Sequence, residues 1–233
     1  MSTTLKFWLE CLLEIFFPKL CLVCEDNVPP YGEYLCTNCL VKIARSDLHL
    51  ERENDFTERL HSRVPLHTGA AMYLYKKGSG VQKIIHAFKY GGQRQLGFQL
   101  ARRYGWMLAD QAHFRRIDYL LPVPLHRKKL RARGYNQAKV LADGLSKGLG
   151  IPVLEAIVRT EHTKSQTRKR TKDRVDNVMQ VFAVPDPEAL RNKHVLIVDD
   201  VLTTGATIEG CARHLLDIPG IKISAVTLAM AQR

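Results

Sequence analysis

The sequence predicts an α/β fold: a parallel sheet flanked by helices, preceded by a small N-terminal four-cysteine unit. Three observations predict it. Val195–Val198 is an unbroken β-branched and aliphatic run, as in a strand buried on both faces, and it ends in Asp199 and Asp200. Short apolar runs alternate along the chain with stretches of helical spacing. Cysteines 21, 24, 36 and 39 form two C-x2-C pairs. The chain has 233 residues, 45% of them hydrophobic, enough for one sizeable core and an appendage.

From the N-terminus, Leu5–Phe17 is amphipathic. Lys6, Glu10 and Glu14 line one stripe, and Leu5, Trp8, Leu9, Leu12, Ile15 and Phe16 lie opposite. With two acids and no small-residue cleavage site after it, the segment does not read as a secretion signal, and it reads as too short to span a bilayer. The segment reads as a helix packed on the protein's own core, or one docked on a membrane surface or partner. In the cysteine unit, each C-x2-C pair can put two thiolates on one metal, and two pairs complete a tetrahedron. The eleven-residue spacer carries Pro29, Pro30 and Gly32, which suits a turn between two knuckles. With sulfur at all four positions, Cys21, Cys24, Cys36 and Cys39 read as a closed structural Zn²⁺ site. Disulfides are the alternative, disfavoured by the cytoplasmic setting expected for this chain. Cys11 and Cys211 stand outside the spacing.

Residues 42–67 read as a charged linker with helical turns, and the domain division is placed at 1–55 and 56–233. Ala70–Lys76 reads as a strand, broken by Gly78-Ser-Gly80, followed by helices over Val81–Tyr90 and Gln95–Leu108 with Gly91-Gly92 between them. His86, Lys89 and Tyr90 are either site residues or an exposed helix face. Asp118–His126 reads as a core strand ended by Pro122 and Pro124. It leads into Arg127, Lys128, Lys129, Arg131 and Arg133, five cations without an acid between them. A basic loop after a parallel strand can hold a pyrophosphate, although a solvated charge run has the same composition. Gly134-Tyr-Asn-Gln137 opens a helix to about Leu149, and Ile151–Val158 reads as the next strand. Residues 159–177 form a long loop with seven cations (Arg159, Lys164, Arg168, Lys169, Arg170, Lys172, Arg174) against three acids. Such a loop can close over a phosphorylated ligand or be disordered. Val178–Val184 reads as an edge strand.

After Val195–Val198 come the two carboxylates, then Thr203, Thr204, Gly205, Ala206 and Thr207, and a helical pattern through Ile208, Cys211, Leu215 and Leu216. Ligands of open α/β sheets bind beyond the carboxyl ends of the strands. Glycine admits an anion close to the backbone, a helix N-terminus supplies free N–H groups, and carboxylates accept hydrogen bonds from ribose hydroxyls. The stretch reads as a ribose-5-phosphate cradle; no G-x-x-x-x-G-K-[ST] occurs in the chain. Lys222–Met230 supplies the last core strand. The net charge of +12 favours polyanionic partners. The cations at 127–133 and 164–174 (Lys128, Lys129, Arg131, Lys164, Arg168, Lys169, Arg170), with Tyr135 as a stacking surface, form a candidate track for single-stranded nucleic acid.

His194–Thr207 closely resembles the 5-phosphoribosyl-1-pyrophosphate (PRPP) signature of type I phosphoribosyltransferases. The segments Pro122-Val-Pro-Leu-His126, Arg133-Gly-Tyr-Asn-Gln137, Gln166, Arg174-x-x-Asn177-Val178 and Phe182, with Phe88-Lys-Tyr90 and the four cysteines, resemble the ComF/GntX family over nearly the whole chain. The resemblance implies a type I phosphoribosyltransferase-like fold with a small zinc domain. It assigns Asp199 and Asp200 to the ribose hydroxyls, as the catalytic pair, and Thr203–Thr207 to the 5-phosphate. The pyrophosphate loop would be Pro124, His126, Arg127 and Arg133, with Arg174. It also implies PRPP with Mg²⁺ as ligand and a role in natural competence, handling imported single-stranded DNA in the cytoplasm. Partners would include competence proteins at the inner membrane. Phosphoribosyl transfer, a non-catalytic nucleic-acid-binding or regulatory role for the same pocket, and a metabolic role unrelated to DNA uptake remain as alternatives.

Overall fold

The computed structural model describes Trp8 and residues 17–160 and 182–232. The segment read as an amphipathic helix, Leu5–Phe17, lies outside the described residues apart from Trp8 and Phe17, as does most of the basic loop, from residue 161 onward.

The central sheet has four strands, all parallel: β1 (Gly69–Tyr75), β2 (Tyr119–Pro122), β5 (His194–Leu202) and β6 (Lys222–Ala231), in the order β1-β6-β5-β2. Alternation along each strand sends side chains to two cores, one per face. Leu196 and Val198 join Ala70 and Met72 on one face, and Val195 and Ile197 join Ala71 and Leu121 on the other. Burial of both faces explains why β5 reads as a continuous apolar run until it reaches Asp199.

The first face is covered by α3 (Gly80–Tyr90), α4 (Arg94–Ala109) and α6 (Gln137–Leu149). α4 and α6 touch backbone to backbone. A Cβ on Gly148 would stand 2.5 Å from the Arg102 carbonyl and one on Gly105 2.8 Å from the Leu145 carbonyl, so neither position has room for a side chain. The other face packs on α2 (Asp55–His61) and α7 (Ala206–Leu216). Asn54 starts α2 as a capping box with Thr57 and also donates to the Gly69 carbonyl at 2.9 Å, fastening the helix to β1.

The cysteine unit ends in α1 (Thr37–Lys42) and rests on α3 and α4. Lys83 donates to the Val23 carbonyl at 2.8 Å and pairs with Glu25 at 2.7 Å; Arg103 pairs with Glu33 at 2.7 Å. Buried Cys21, Leu35, Cys36, Cys39 and Ile43 belong to the same apolar cluster as Met72 and Ile84.

Two expectations need correction. The apolar run Ile151–Val158 is not a continuous strand: Val153 makes a single parallel bridge to Leu120, and only β3 (Val158–Arg159) follows. Pro152 has no N–H to donate, so the segment pairs through the Pro152 carbonyl and the Leu154 N–H, both to Leu120. β3 pairs antiparallel with β4 (Phe182–Ala183), the described part of the strand expected at Val178–Val184, and joins the two ends of the basic segment. Finally, the cations after β2 lie on a short helix, α5 (Arg127–Arg133), not in a loop. Arg, Lys, Leu and Ala are all good helix formers. His126 caps the start, its Nδ1 accepting from the Lys128 N–H at 3.1 Å, and Gly134 ends it at φ 78°.

Candidate functional site

β5 carries Asp199 and Asp200 past the buried part of the sheet into a cavity of about 430 Å³. One wall is the loop from β5 to α7. Thr203, Thr204 and Thr207 are exposed there, and Gly205 turns the chain into the first turn of α7 at φ 86°. The Thr204 hydroxyl accepts from the Ala206 N–H at 3.4 Å. Two of the loop's backbone carbonyls are held by arginines, one in α2 and one just after it. Arg59 donates to the Thr203 carbonyl at 3.2 Å and to the Ala231 carbonyl at 2.7 Å, and Arg63 donates to the Thr204 carbonyl at 2.6 Å. Arg63 is in turn paired at 3.1 Å with Glu209, whose side chain is only 8% exposed and also accepts from Arg213 at 2.9 Å. With these carbonyls engaged by arginines, Thr203 and Thr207 line the cavity at the start of α7, an arrangement that suits an anion.

Gly205 is required twice over. Its backbone is left-handed, and an added Cβ would lie 2.5 Å from Leu60 Cδ2. Gly205→Ala is expected to destabilise the chain by about 2 kcal/mol or more, seen as a fall in Tm of roughly 4–8 °C. Gly134→Ala has a similar φ but open space around it, so its effect should be smaller. Equal melting temperatures for the two variants would contradict the packing argument.

The facing wall is cationic. Pro124, Lys129, Arg133, Asn136 and Gln137 line it, with Lys89 from α3 and Arg159 from β3. Asn136 caps α6 through the Ala138 N–H at 3.0 Å and donates to the Val123 carbonyl at 3.0 Å, locking the turn between the two helices. Arg133 donates to Gln137 Oε1 at 2.9 Å and lies over the Tyr90 ring at 5.2 Å. Lys89 Nζ sits 2.9 Å from Asp200 Oδ1. Burial, and then the charge of Asp200, push the Asp199 carboxyl up to about 7, against the Asp200 N–H that it accepts at 2.8 Å and the nearby Lys89 and Lys129. The cavity thus presents one carboxyl with a weakened hold on its negative charge, Asp199, beside Asp200 and with four cations in the same lining.

Of the residues singled out in the sequence, Asp199, Asp200, Thr203, Thr207, Pro124 and Arg133 meet around this cavity, and Lys129 joins them. Thr204 lines an adjoining hollow with Arg59 and Arg63, and Ala206 is half-buried at the start of α7. His126 is spent as the α5 cap, while Arg127, Lys128 and Arg131 are exposed on that helix. Tyr135 is turned inward: its hydroxyl donates to the Phe88 carbonyl and its ring packs 5.8 Å from that of Phe88, so it is a packing residue here and not a stacking surface. Lys164, Arg168, Lys169, Arg170 and Arg174 lie outside the described residues. Arg59 and Arg63, absent from the sequence reading, come from a segment more than 140 residues away from the loop they hold.

The four cysteines form the second cluster. Their sulfurs lie within 4.8 Å of one another, and Cys24 and Cys36 are 3.9 Å apart. Four sulfurs around one Zn²⁺ at the usual bond length stand about 3.8 Å apart, so the donor set fits the ion. The N–H groups of Asn27 and Asp26 hold the Cys24 thiol down at about 6, whereas burial and the neighbouring sulfurs push Cys39 up to about 12.

The phosphoribosyl transferase domain model matches residues 133–233, which carry Arg133, the acid pair and the hydroxyl loop. Competence protein F of Haemophilus influenzae is 33% identical over 153 residues, covering 64% of this chain and 67% of that protein. The chain belongs to the ComF family. Within the ComF family it also matches competence protein ComFC of Bacillus subtilis, 24% identical over 207 residues, 85% of this chain and 78% of that one. The DNA utilization protein YhgH of Escherichia coli K12 is 31% identical over 140 residues, 57% of this chain, and the match spans 60% of that relative's length. Among the described residues of this ComF chain, no helix is long and apolar enough to cross a membrane.

Proposed function

We propose that this ComF chain binds PRPP in the cavity between the β5–α7 loop and α5, and that it works on imported single-stranded DNA during natural transformation. One observation carries the ligand: a carboxylate pair, a hydroxyl-rich helix entry and a wall of cations converge on a single cavity of about 430 Å³. The loop receives the 5-phosphate, Asp199 and Asp200 accept the ribose hydroxyls, and Lys129 and Arg133 face the pyrophosphate. The oxygen donors of Asp199 and Asp200 are of the type that Mg²⁺ takes, and Mg²⁺ would neutralise pyrophosphate charge. Phosphoribosyl transfer is the reaction this arrangement favours, because the cations stabilise the leaving pyrophosphate and a half-buried cavity strengthens that stabilisation. The four-cysteine unit holds one Zn²⁺ in a structural role. The names of the relatives, competence proteins and a DNA utilization protein, support the pathway, and the cytoplasm is the place of action proposed with it.

Single strands have an exposed surface to bind. Arg127, Lys128 and Arg131 stand on α5 outside the cavity lining. Binding through them is electrostatic and sequence-tolerant, so log K falls by about 0.7 per neutralised phosphate for each unit of log salt. Replacing Lys128 and Arg131 by Ala should reduce that slope by up to about 1.4 and leave PRPP affinity unchanged. A fluorescence-anisotropy salt titration of an oligonucleotide tests this. An unchanged slope would remove α5 from the nucleic-acid surface, and absence of binding at physiological salt would refute the DNA role.

A further inference from the structure

Lys89 lies on α3, whose Ile84, Ile85 and Phe88 are buried, so its backbone is held by the core. Its side chain enters the cavity beside Tyr75 and Ile85 and reaches Asp200 Oδ1 at 2.9 Å. The Lys89 and Asp200 side chains are 18% and 16% exposed, so solvent and salt screen this pair far less than a surface one.

The pair competes with the proposed ligand. Asp200 is an acceptor for ribose hydroxyls, yet one of its oxygens already holds an ammonium. The same ligand brings a pyrophosphate into a cavity whose other cations are Lys129 and Arg133 from α5 and Arg159 from β3. A compact ammonium on a flexible stem follows the larger negative charge. We infer that Lys89 is a pyrophosphate ligand stored on Asp200, and that its transfer to pyrophosphate frees Asp200 for the ribose. The inference rests on the PRPP reading of the cavity. It makes the two halves of the ligand cooperative: pyrophosphate improves ribose-phosphate binding, and by reciprocity the converse holds.

The test is calorimetry of the intact chain with pyrophosphate and with ribose 5-phosphate, each alone and in the presence of the other, for wild type, Lys89→Met and Lys89→Arg. In Lys89→Met, pyrophosphate affinity should fall at least about tenfold. Ribose 5-phosphate alone should bind as well as to wild type or better, because Asp200 is already free. The factor by which pyrophosphate alters ribose 5-phosphate affinity should become less favourable by about fivefold or more, and Lys89→Arg should restore pyrophosphate binding in part. Unchanged pyrophosphate affinity in Lys89→Met would overturn the inference and leave the PRPP reading standing. So would a loss confined to ribose 5-phosphate, which would make Lys89 only a tether for Asp200. If wild type binds neither compound, the PRPP reading falls and the inference with it. A melting curve matching wild type establishes that Lys89→Met is folded, and Lys89→Gln, which also removes the charge, serves the same comparison if it is not.

Discussion

Protein purified without chelator is expected to contain one Zn²⁺ per chain, and Cys21→Ser or removal of the metal is expected to unfold residues 21–43. This is the largest effect expected from any single change in the molecule. Zinc bound to four thiolates contributes about 10–16 kcal/mol to the folding of small knuckles, and 19 residues from Cys21 to Cys39 cannot replace it with a core of their own. Cys21, Cys36 and Cys39 are buried within the cluster that also contains Met72 and Ile84, so the loss opens one face of the main core as well. α3, which brings Lys89 to the cavity, is the helix on which the unit rests through Lys83. Elemental analysis and limited proteolysis read the outcome. New cleavage between residues 21 and 43 should follow metal removal. Zinc-free protein that resists cleavage, or two disulfides in the mass spectrum, would contradict it.

The second large effect is at the acid pair. Asp199→Asn with Asp200→Asn keeps the size and shape of both side chains but removes the anionic acceptors. Hydrogen bonds to charged groups are worth about 1.5–3 kcal/mol each, so PRPP affinity should fall at least about tenfold if one is lost and by about a hundredfold or more if both are. The comparison belongs near pH 8, above the value of about 7 to which Asp199 is pushed, so that Asp199 is ionised in the wild type. Equal calorimetric affinities for wild type and double variant would remove the carboxylates from the ribose.

What could be read from the sequence was whatever is written in contiguous residues. The β5 run, the acid pair, the hydroxyls and Gly205 follow one another because the anion cradle is a single strand-to-helix turn. The cysteine spacing was legible because two short knuckles need only local turns. The helices over 80–90 and 94–109 were legible from apolar periodicity broken at Gly91-Gly92. Long-range partners were not legible. Arg59 and Arg63 reach the loop only through the packing of α2 on the second face of the sheet, and nothing local marks them. α5 lacks an apolar stripe and contains no buried residue, so its helix is decided by propensity and by the His126 and Gly134 caps, and composition alone reads it as a loop. Ile151–Val158 has the apolar content of a strand, but Pro152 limits it to one bridge at the sheet edge. Tyr135 looked like an exposed aromatic beside cations until the neighbouring Phe88 carbonyl and ring claimed it.

The central claim is that the β5–α7 loop and the acid pair form the ligand site. The most direct measurement is an amide chemical-shift map of the ¹⁵N-labelled chain on addition of PRPP with Mg²⁺. The account predicts the largest shifts at Asp200 and Thr203–Thr207, with smaller ones at Lys129–Arg133. Saturating shifts confined to α5 or the cysteine unit, with residues 199–207 unmoved, would contradict it.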